Sequence, residues 1–486
     1  MSTSNIKAGY LPGLTDADVA WHSVSFGSGA EQLDVDMPML SPAQLTAMAE
    51  RVRTHSAAHL QSLSTAQIID IISRAIARLL DKKDVYRLEA ERLLPRLTGL
   101  APDMLRLSLS AYLKTFRKPQ LQRFVAEDFP NPAQLESFTP RSTGGWSKAV
   151  APDLLVHVWA GNVPGLPLWS LISGLLVRAG NIGKVSSAEP LMASWFARLI
   201  VEVEPSLKDC LAVVWWPRDD TTRPAALFSQ AEAVLAYGGN QSLDQIRQQV
   251  PASTRFLPHG HKLSFAIVSQ SALTVRQAQN QARFAALDVA RYEQQGCYSP
   301  HTIYVARGGA VSPREFAQLL AGELAALEHR FPRRTLLLED AVSLAKWRQA
   351  KEFESVQHSD SSLIGDAAAP WAVAYSELPT SLAPSAMNRT VCVVAVDQMA
   401  SVIRLIAGQK MYLQSAGVAA SPEELFVIAS ELGAAGVTRI CAIGAMTAPE
   451  AGWHHDGRFS LLDLVRMVDI EATTEHAAEA FTRYRD

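Results

Sequence analysis

The sequence predicts an α/β protein: an α-rich N-terminal segment, a dinucleotide-binding domain on a parallel sheet, and a second, catalytic α/β domain. Three observations carry that expectation. From Asp153 onward, short apolar runs (LLVHV, LAVVWW, AVLAY) alternate with stretches of three-and-four-residue apolar spacing, the rhythm of strand, crossover helix and strand. Between Ser41 and Glu127 only the helical period occurs, as in IIDIISRAIARLL and APDMLRLSLSAYLKTF. The 486 residues, 48% hydrophobic and 19% charged, suffice for two or three domains and exclude general disorder.

In chain order, Ser64-Thr-Ala-Gln67 has the form of a capping box opening a helix. Residues 128–152 are turn-rich (DFPNPAQ, RSTGGW) and suit a hairpin or an excursion between domains. Strand LLVHVWAG leads to helix VPGLPLWSLISGLLVRAG, closed by glycine. NIGKVSS, MASWFARLIVEVE, LAVVWW, RPAALFSQ, AVLAYGG and SLDQIRQQV continue the alternation. A second unit follows with KLSFAIVS, VRQAQNQARFAALDVAR, QQGCYSPHTIYV, SPREFAQLLAGELAALEHR, TVCVVAVD and GVTRICAIG. The expected parts are therefore 1–262 (helical segment plus dinucleotide-binding domain), 263–445 (catalytic domain) and 446–486 (a C-terminal segment packing back on the first domain or on a partner subunit).

Composition narrows the function classes. Lys plus Arg is 45 and Asp plus Glu is 48, a net charge of −3, so no basic footprint for nucleic acid or anionic lipid is present. The four cysteines have no CxxC spacing, which indicates neither a disulfide framework nor a structural zinc site and suits a reducing compartment. The start, MSTSNIKAGYLPGL, lacks a signal-peptide core, and the apolar stretch 166–177 is too short to span a membrane. A cytoplasmic protein without a membrane span is expected.

Cys297 lies in QQGCYSPHTIYV, where a helix ends, glycine turns the chain and a strand begins. A thiol at such a junction can be held as thiolate near free backbone N–H groups, although a cysteine also serves as a small buried hydrophobe. Cys210, Cys392 and Cys441, flanked by apolar strand residues, fit the second description. Asn162, between a buried strand and a helix, can donate to a developing oxyanion or simply cap the helix. Gly180-Asn-Ile-Gly-Lys184-Val-Ser-Ser187 brings a cation and hydroxyls off a strand end, suited to ribose or phosphate. Tyr237-Gly238-Gly239-Asn240 opens a helix and can cradle a pyrophosphate or be a plain βα turn. His454, His455 and Asp456 suggest metal ligation only superficially, because adjacent histidines point apart and no distant third ligand is evident; no metal is expected.

In this order the motifs resemble the aldehyde dehydrogenase superfamily: Asn-Val-Pro, Gly-Asn then Lys, a glycine pair opening a helix, and Gly-Cys. More specifically, GYLPG, AGNIGKVSSAEP, QQGCYSPHTIYV, LQSAGVA, GVTRICAIG and AGWHHDGR with LLDLVR resemble the long-chain acyl-CoA reductase family of LuxC type. That resemblance implies an aldehyde dehydrogenase-like fold with a Rossmann-type cofactor domain. It implies Cys297 as acyl-accepting nucleophile and Asn162 as oxyanion donor, with Lys184, Ser186, Gly238 and Gly239 lining the nicotinamide site. NADPH is the implied cofactor, NADH the lesser alternative, with Glu189 placed to reach a ribose. The implied activity is reduction of a fatty acyl-CoA or protein-bound acyl thioester to the aldehyde. The alternatives are the reverse, acylating direction and an acyl-accepting scaffold. An acyl-protein synthetase partner and a homo-oligomer also follow from the resemblance. One departure is informative: where aldehyde dehydrogenases carry Glu-Leu-Gly-Gly-Lys, this chain reads Pro258-His-Gly-His-Lys262, so the usual water-activating carboxylate is missing. His259 and His261 either replace it or form a polar turn.

Overall fold

The computed structural model of the protein describes residues 6–27 and 32–482. Residues 1–5, the start of the stretch expected to lack a leader, lie outside the described residues. The chain divides into two compact units, one comprising the chain up to Arg92, Tyr112–Gly260 and the part from Glu450 on, the other Leu93–Ala111 and His261–Pro449. Residues 93–111, inside the span 1–262 expected as one part, thus group with the second unit.

The first unit is built on five parallel strands in the order Arg255–His259, Ala233–Tyr237, Leu154–Val158, Gly180–Lys184 and Leu211–Val214. Strand order reverses beside Leu154–Val158, so a crevice opens at the carboxyl ends of the strands, the usual ligand position in such sheets. One face of the sheet is closed by helix Pro42–His55, whose Leu45, Met48, Ala49 and Val52 share a core with Leu154, Val156, Ile182, Ala212 and Val214. Helices Leu166–Leu176 and Met192–Val203 are buried along most of their length. The expected capping box is present: Ser64 Oγ accepts the Gln67 N–H and the Gln67 side chain accepts the Ser64 N–H at the start of Thr65–Leu80.

Two small sheets complete this unit. Ile6–Lys7, Leu33–Met39 and Ala20–Phe26 form one, ahead of the helical segment where no strand was expected. Its signal is the alternation of Leu33, Val35 and Met37, all buried. Thr139–Pro140 and Trp146–Val150 form the hairpin in the turn-rich stretch, and Arg466–Ile470 from the C-terminal segment adds antiparallel to it.

The motif Gly-Asn-Ile-Gly-Lys has a packing cause as well as a chemical one. A Cβ at Gly183 would lie 1.7 Å from the Trp159 ring, so only glycine lets the indole cross the strand. Asn181 Oδ1 sits 2.9 Å from Nε2 of His157, which is fully buried, while Asn181 Nδ2 donates to the Ala179 carbonyl. His157 Nδ1 has no partner. Burial pushes the imidazole down to about 4, against a small upward pull from Asn181. Such a histidine is neutral in the fold but binds a proton in the unfolded chain below its ordinary value near 6.5. Its contribution to stability is therefore complete above pH 6.5 and is lost as pH falls toward 4, on the order of 3 kcal/mol at the lower end. Urea titrations at pH 7 and 4.5 should show His157→Gln losing about 2 kcal/mol less than the wild type between the two pH values; an unchanged pH dependence would refute the assignment.

The second unit has seven strands in the order Ser361–Ile364, Ala372–Ser376, Thr390–Val396, Pro300–Ala306, Leu263–Val268, Leu413–Ala419 and Arg439–Ala442. All neighbouring pairs are parallel except the first. Helices Val275–Ala290 and Pro313–Arg330 cover one face through a core rich in alanine, including Ala278, Ala282, Ala285 and Ala286. The opposite face packs on Val402, Ile406, Ile428 and Leu432. No helix among the described residues is long and apolar enough to cross a membrane.

Candidate active-site residues in the two units

In the first unit, the carboxyl ends of the strands border a cavity of about 650 Å3 lined by Lys184, Ser186, Ser187, Arg218, Gly238 and Gln245, among others. Lys184 is the last residue of its strand. Burial, and to a lesser degree repulsion from Arg218, pushes its ammonium down to about 8. Arg218 also donates to Ser242 Oγ at 3.1 Å. Asp219 and Asp220 line the same cavity, but Asp220 is already ion-paired with Arg223. Gly239 precedes helix Asn240–Gln249, whose N-terminus has no side-chain cap. A Cβ at Gly239 would meet nothing within 4 Å, and one at Gly238 only Ser242 Cβ at 3.6 Å. The open backbone at a helix N-terminus, beside this cavity, fits a pyrophosphate-bearing dinucleotide.

Lys184, Ser186 and Gly238 therefore share one cavity, and Gly239 stands next to it, exposed. Glu189 does not. Its buried carboxylate accepts the Leu191 and Met192 N–H groups, both at 2.9 Å, at the start of helix Met192–Val203. Burial raises its pKa against these donors, and the side chain is committed to the helix rather than to a ribose. Arg218, which the sequence reading missed, follows two residues after Trp216, past the end of strand Leu211–Val214. A cation just past a strand's carboxyl end is the signal that would have found it.

Asn162 is exposed on the turn between Leu154–Val158 and Leu166–Leu176. It is not the helix cap: that position belongs to Gly165, at φ +87°, a conformation in which a side chain is strained. The capping explanation of Asn162 thus falls away.

The first unit also brings together residues that looked unrelated in sequence. His259 ends strand Arg255–His259, so the His-Gly-His motif begins as strand and not as turn. Its Nδ1 lies 2.9 Å from Asp456 Oδ2. The His259 ring stacks on His455 at 4.3 Å and on Tyr237 at 4.8 Å, and Trp453 lies 4.7 Å from His455. His259 is the distant third group that the His455–Asp456 pair lacked in sequence, and ligand atoms of all three lie within 4.8 Å of one another. The two imidazoles, however, are inclined by only 17°. Their in-plane lone pairs run side by side instead of converging on one point about 2 Å from each, as a bound metal requires. The geometry is that of an imidazole oriented by a carboxylate.

In the second unit, Cys297 is part-buried between the 3-10 turn Arg291–Gln294 and strand Pro300–Ala306. Its carbonyl accepts the Ser264 hydroxyl at 2.7 Å. The other three thiols, Cys210, Cys392 and Cys441, are pushed up to about 11, mainly by burial. They belong to strands or strand starts and are poor nucleophiles.

The curated relative from Vibrio harveyi, a long-chain acyl-protein thioester reductase, is 26% identical over 65% of this chain and 64% of its own length. That of Photorhabdus laumondii subsp. laumondii, of the same name, is 24% identical over 68% of this chain and 66% of its own length. The chain thus spans just under two thirds of these relatives. Among solved structures, aldehyde dehydrogenase C of Pseudomonas syringae, determined with NAD+ and octanal, superposes with a TM-score of 0.74 over 96% of this chain and 97% of that one at 15% identity. The fold is that of the aldehyde dehydrogenases. The family model for acyl-CoA reductase (LuxC) matches residues 60–467, most of the chain, and the protein belongs to that family.

Proposed function

We propose that the protein reduces a fatty acyl thioester to the aldehyde through an acyl group held on Cys297, using NADPH. The observation that carries the reading is the contrast among the thiols. Cys392 and Cys441 lie within strands and Cys210 just before one, all three pushed up by burial, and the fourth stands at a glycine turn in a chain of the acyl-CoA reductase family. The Cys297 sulfur attacks the carbonyl carbon, the bond to the donor's thiol breaks, and that thiol leaves with a proton. Negative charge gathers on the carbonyl oxygen, and the Asn162 amide is the proposed donor to it. A bound nicotinamide supplies the hydride that turns the acyl group into an aldehyde. In that half the chain's residues hold the same oxyanion, and Cys297 departs as thiolate. A carboxylate base that would drive hydrolysis is absent from Pro258-His-Gly-His-Lys262, which favours reduction.

The acyl donor is an acyl-protein or acyl-CoA. The names of the curated relatives favour the protein-bound form; an acyl-protein synthetase partner is proposed from the family resemblance. A homo-oligomer in the cytoplasm is part of the same proposal.

Lys184 and Arg218 support NADPH over NADH, because two cations suit a 2′-phosphate and Glu189, which would have suited a bare ribose, is engaged elsewhere. The sign of the pH effect follows from Lys184: its ammonium, pushed down to about 8 mainly by burial, loses its charge as pH rises through that region and with it attraction for a phosphate. The KM for NADPH should therefore rise as pH passes from 7 to 9. Arg218→Ala and Lys184→Met should each reduce the NADPH-over-NADH preference about tenfold at pH 7. Steady-state kinetics with both cofactors test this; equal use of NADH by the wild type, unaffected by either substitution, would refute the cofactor assignment.

A further inference from the structure

The approach to Cys297 in the second unit is built in a way that helix, strand and turn formation do not explain. Tyr292, Glu293 and Gln294 are three consecutive non-glycine residues in the left-handed region, at φ 52°, 52° and 59°. Opposite them Met387, Asn388 and Arg389 form a second such run, at φ 54°, 49° and 68°. Each of these conformations is disfavoured for a residue with a side chain and persists only where the surroundings impose it.

The two runs impose it on each other. Arg389 donates from two guanidinium nitrogens to the two oxygens of Glu293, at 2.9 and 2.8 Å, with both side chains fully buried. Its third nitrogen donates to Glu328 at 2.6 Å. The Asn388 N–H donates to the Glu293 carbonyl at 3.0 Å. The Gln294 amide replaces a rung of the sheet: its oxygen accepts the Thr390 N–H, and its nitrogen donates to the carbonyls of Thr390 and Pro300, all at 2.9 Å. Beyond Cys297 the chain is fixed again, since Ser264 Oγ donates to the Cys297 carbonyl and accepts the Ser415 N–H at 3.1 Å. Between these anchors Gly296 lies so close to the Tyr298 ring that a Cβ would come within 2.3 Å of it.

We propose that Glu293, Gln294 and Arg389 are positioning residues for Cys297. Their bonds lock the left-handed run, and the run fixes where the Gly296–Cys297 turn leaves the body of the unit. A buried ion pair is a poor way to gain stability, because desolvation consumes most of the attraction and an apolar pair of the same volume often does as well. What a bidentate guanidinium–carboxylate pair provides that packing does not is direction. Here the direction is used to hold a strained backbone three residues before a thiol. The inference rests on Cys297 being the nucleophile.

The test uses the full chain with Gln294→Met, Arg389→Lys and Arg389→Met, and Cys297→Ser as control. Near-UV circular dichroism checks the fold. Octanoyl-CoA is the acyl probe and iodoacetamide the thiol probe. In folded Gln294→Met the single-turnover rate of Cys297 acylation and the rate of Cys297 alkylation should both fall about tenfold or more, with KM for octanoyl-CoA changed less than about twofold. Arg389→Lys, which keeps the charge but loses the fork, should fall between wild type and Arg389→Met. If Arg389→Met does not fold, Gln294→Met decides. Wild-type acylation and alkylation rates in folded Gln294→Met, with only a lower thermal midpoint, would overturn the positioning role. Failure of the wild type to be acylated at Cys297 by octanoyl-CoA and by an octanoyl-protein thioester alike would instead overturn the nucleophile reading, and alkylation in the variants would still decide on positioning.

Discussion

Replacing Cys297 by alanine should remove acyl transfer and thioester reduction together, by at least about a thousandfold, while leaving the fold and cofactor binding intact. The reason lies in the contrast of environments. Cys210, Cys392 and Cys441 should not substitute, because burial pushes each thiol up to about 11 and disfavours the thiolate. Removing any one of those three should not abolish acylation. The effect of Cys297→Ala should appear in kcat and not in the affinity for NADPH, since Lys184, Ser186 and Gly238, the residues proposed to hold the cofactor, are left unchanged. Rapid-mixing kinetics with an acyl thioester, together with fluorescence titration of NADPH, separate the two quantities. Substantial residual reduction in the alanine variant would mean that hydride reaches the thioester without a covalent intermediate.

The second large effect is expected at Asn162. Asn162→Ala should lower kcat about a hundredfold to a thousandfold with little change in KM, the signature of an interaction made in the transition state. The structure sharpens this expectation by removing its rival. Had Asn162 been the helix cap, its loss would have cost roughly 1 kcal/mol of stability. Gly165 occupies the cap position instead, so the alanine variant should not lose that capping energy. A variant that is destabilised but fully active per folded molecule would remove Asn162 from the chemistry.

How far these residues were legible in the sequence depends on whether the signal was local. The alternation of apolar runs and helical periods located most strands of both large sheets, though not Arg255–His259, Ser361–Ile364, Ala372–Ser376 or Leu413–Ala419, because period and composition are read within ten residues. The capping box at Ser64 and the junction at Cys297 were legible for the same reason. Helix Leu338–Gln357 was missed: among its residues only Leu344 and Arg348 are buried, which leaves no apolar stripe to read. Glu189 was misread because its role is set by a loop that folds its carboxylate back on N–H groups two and three residues ahead. The His259–Asp456 pair spans 197 residues and the Glu293–Arg389 pair 96, and neither separation leaves a trace in local pattern. Long-range polar partners of this kind emerge only once the strands are in register.

The central claim is that Cys297 carries the acyl group. Intact-protein mass spectrometry tests it most directly: the chain is incubated with an acyl thioester in the absence of NADPH, digested to locate the adduct, and then chased with NADPH. One acyl group per chain is expected, on the peptide containing Cys297, lost on addition of NADPH with release of an equal amount of aldehyde. An unmodified Cys297 in a chain that nonetheless reduces the thioester, or an adduct that NADPH does not discharge, would contradict it.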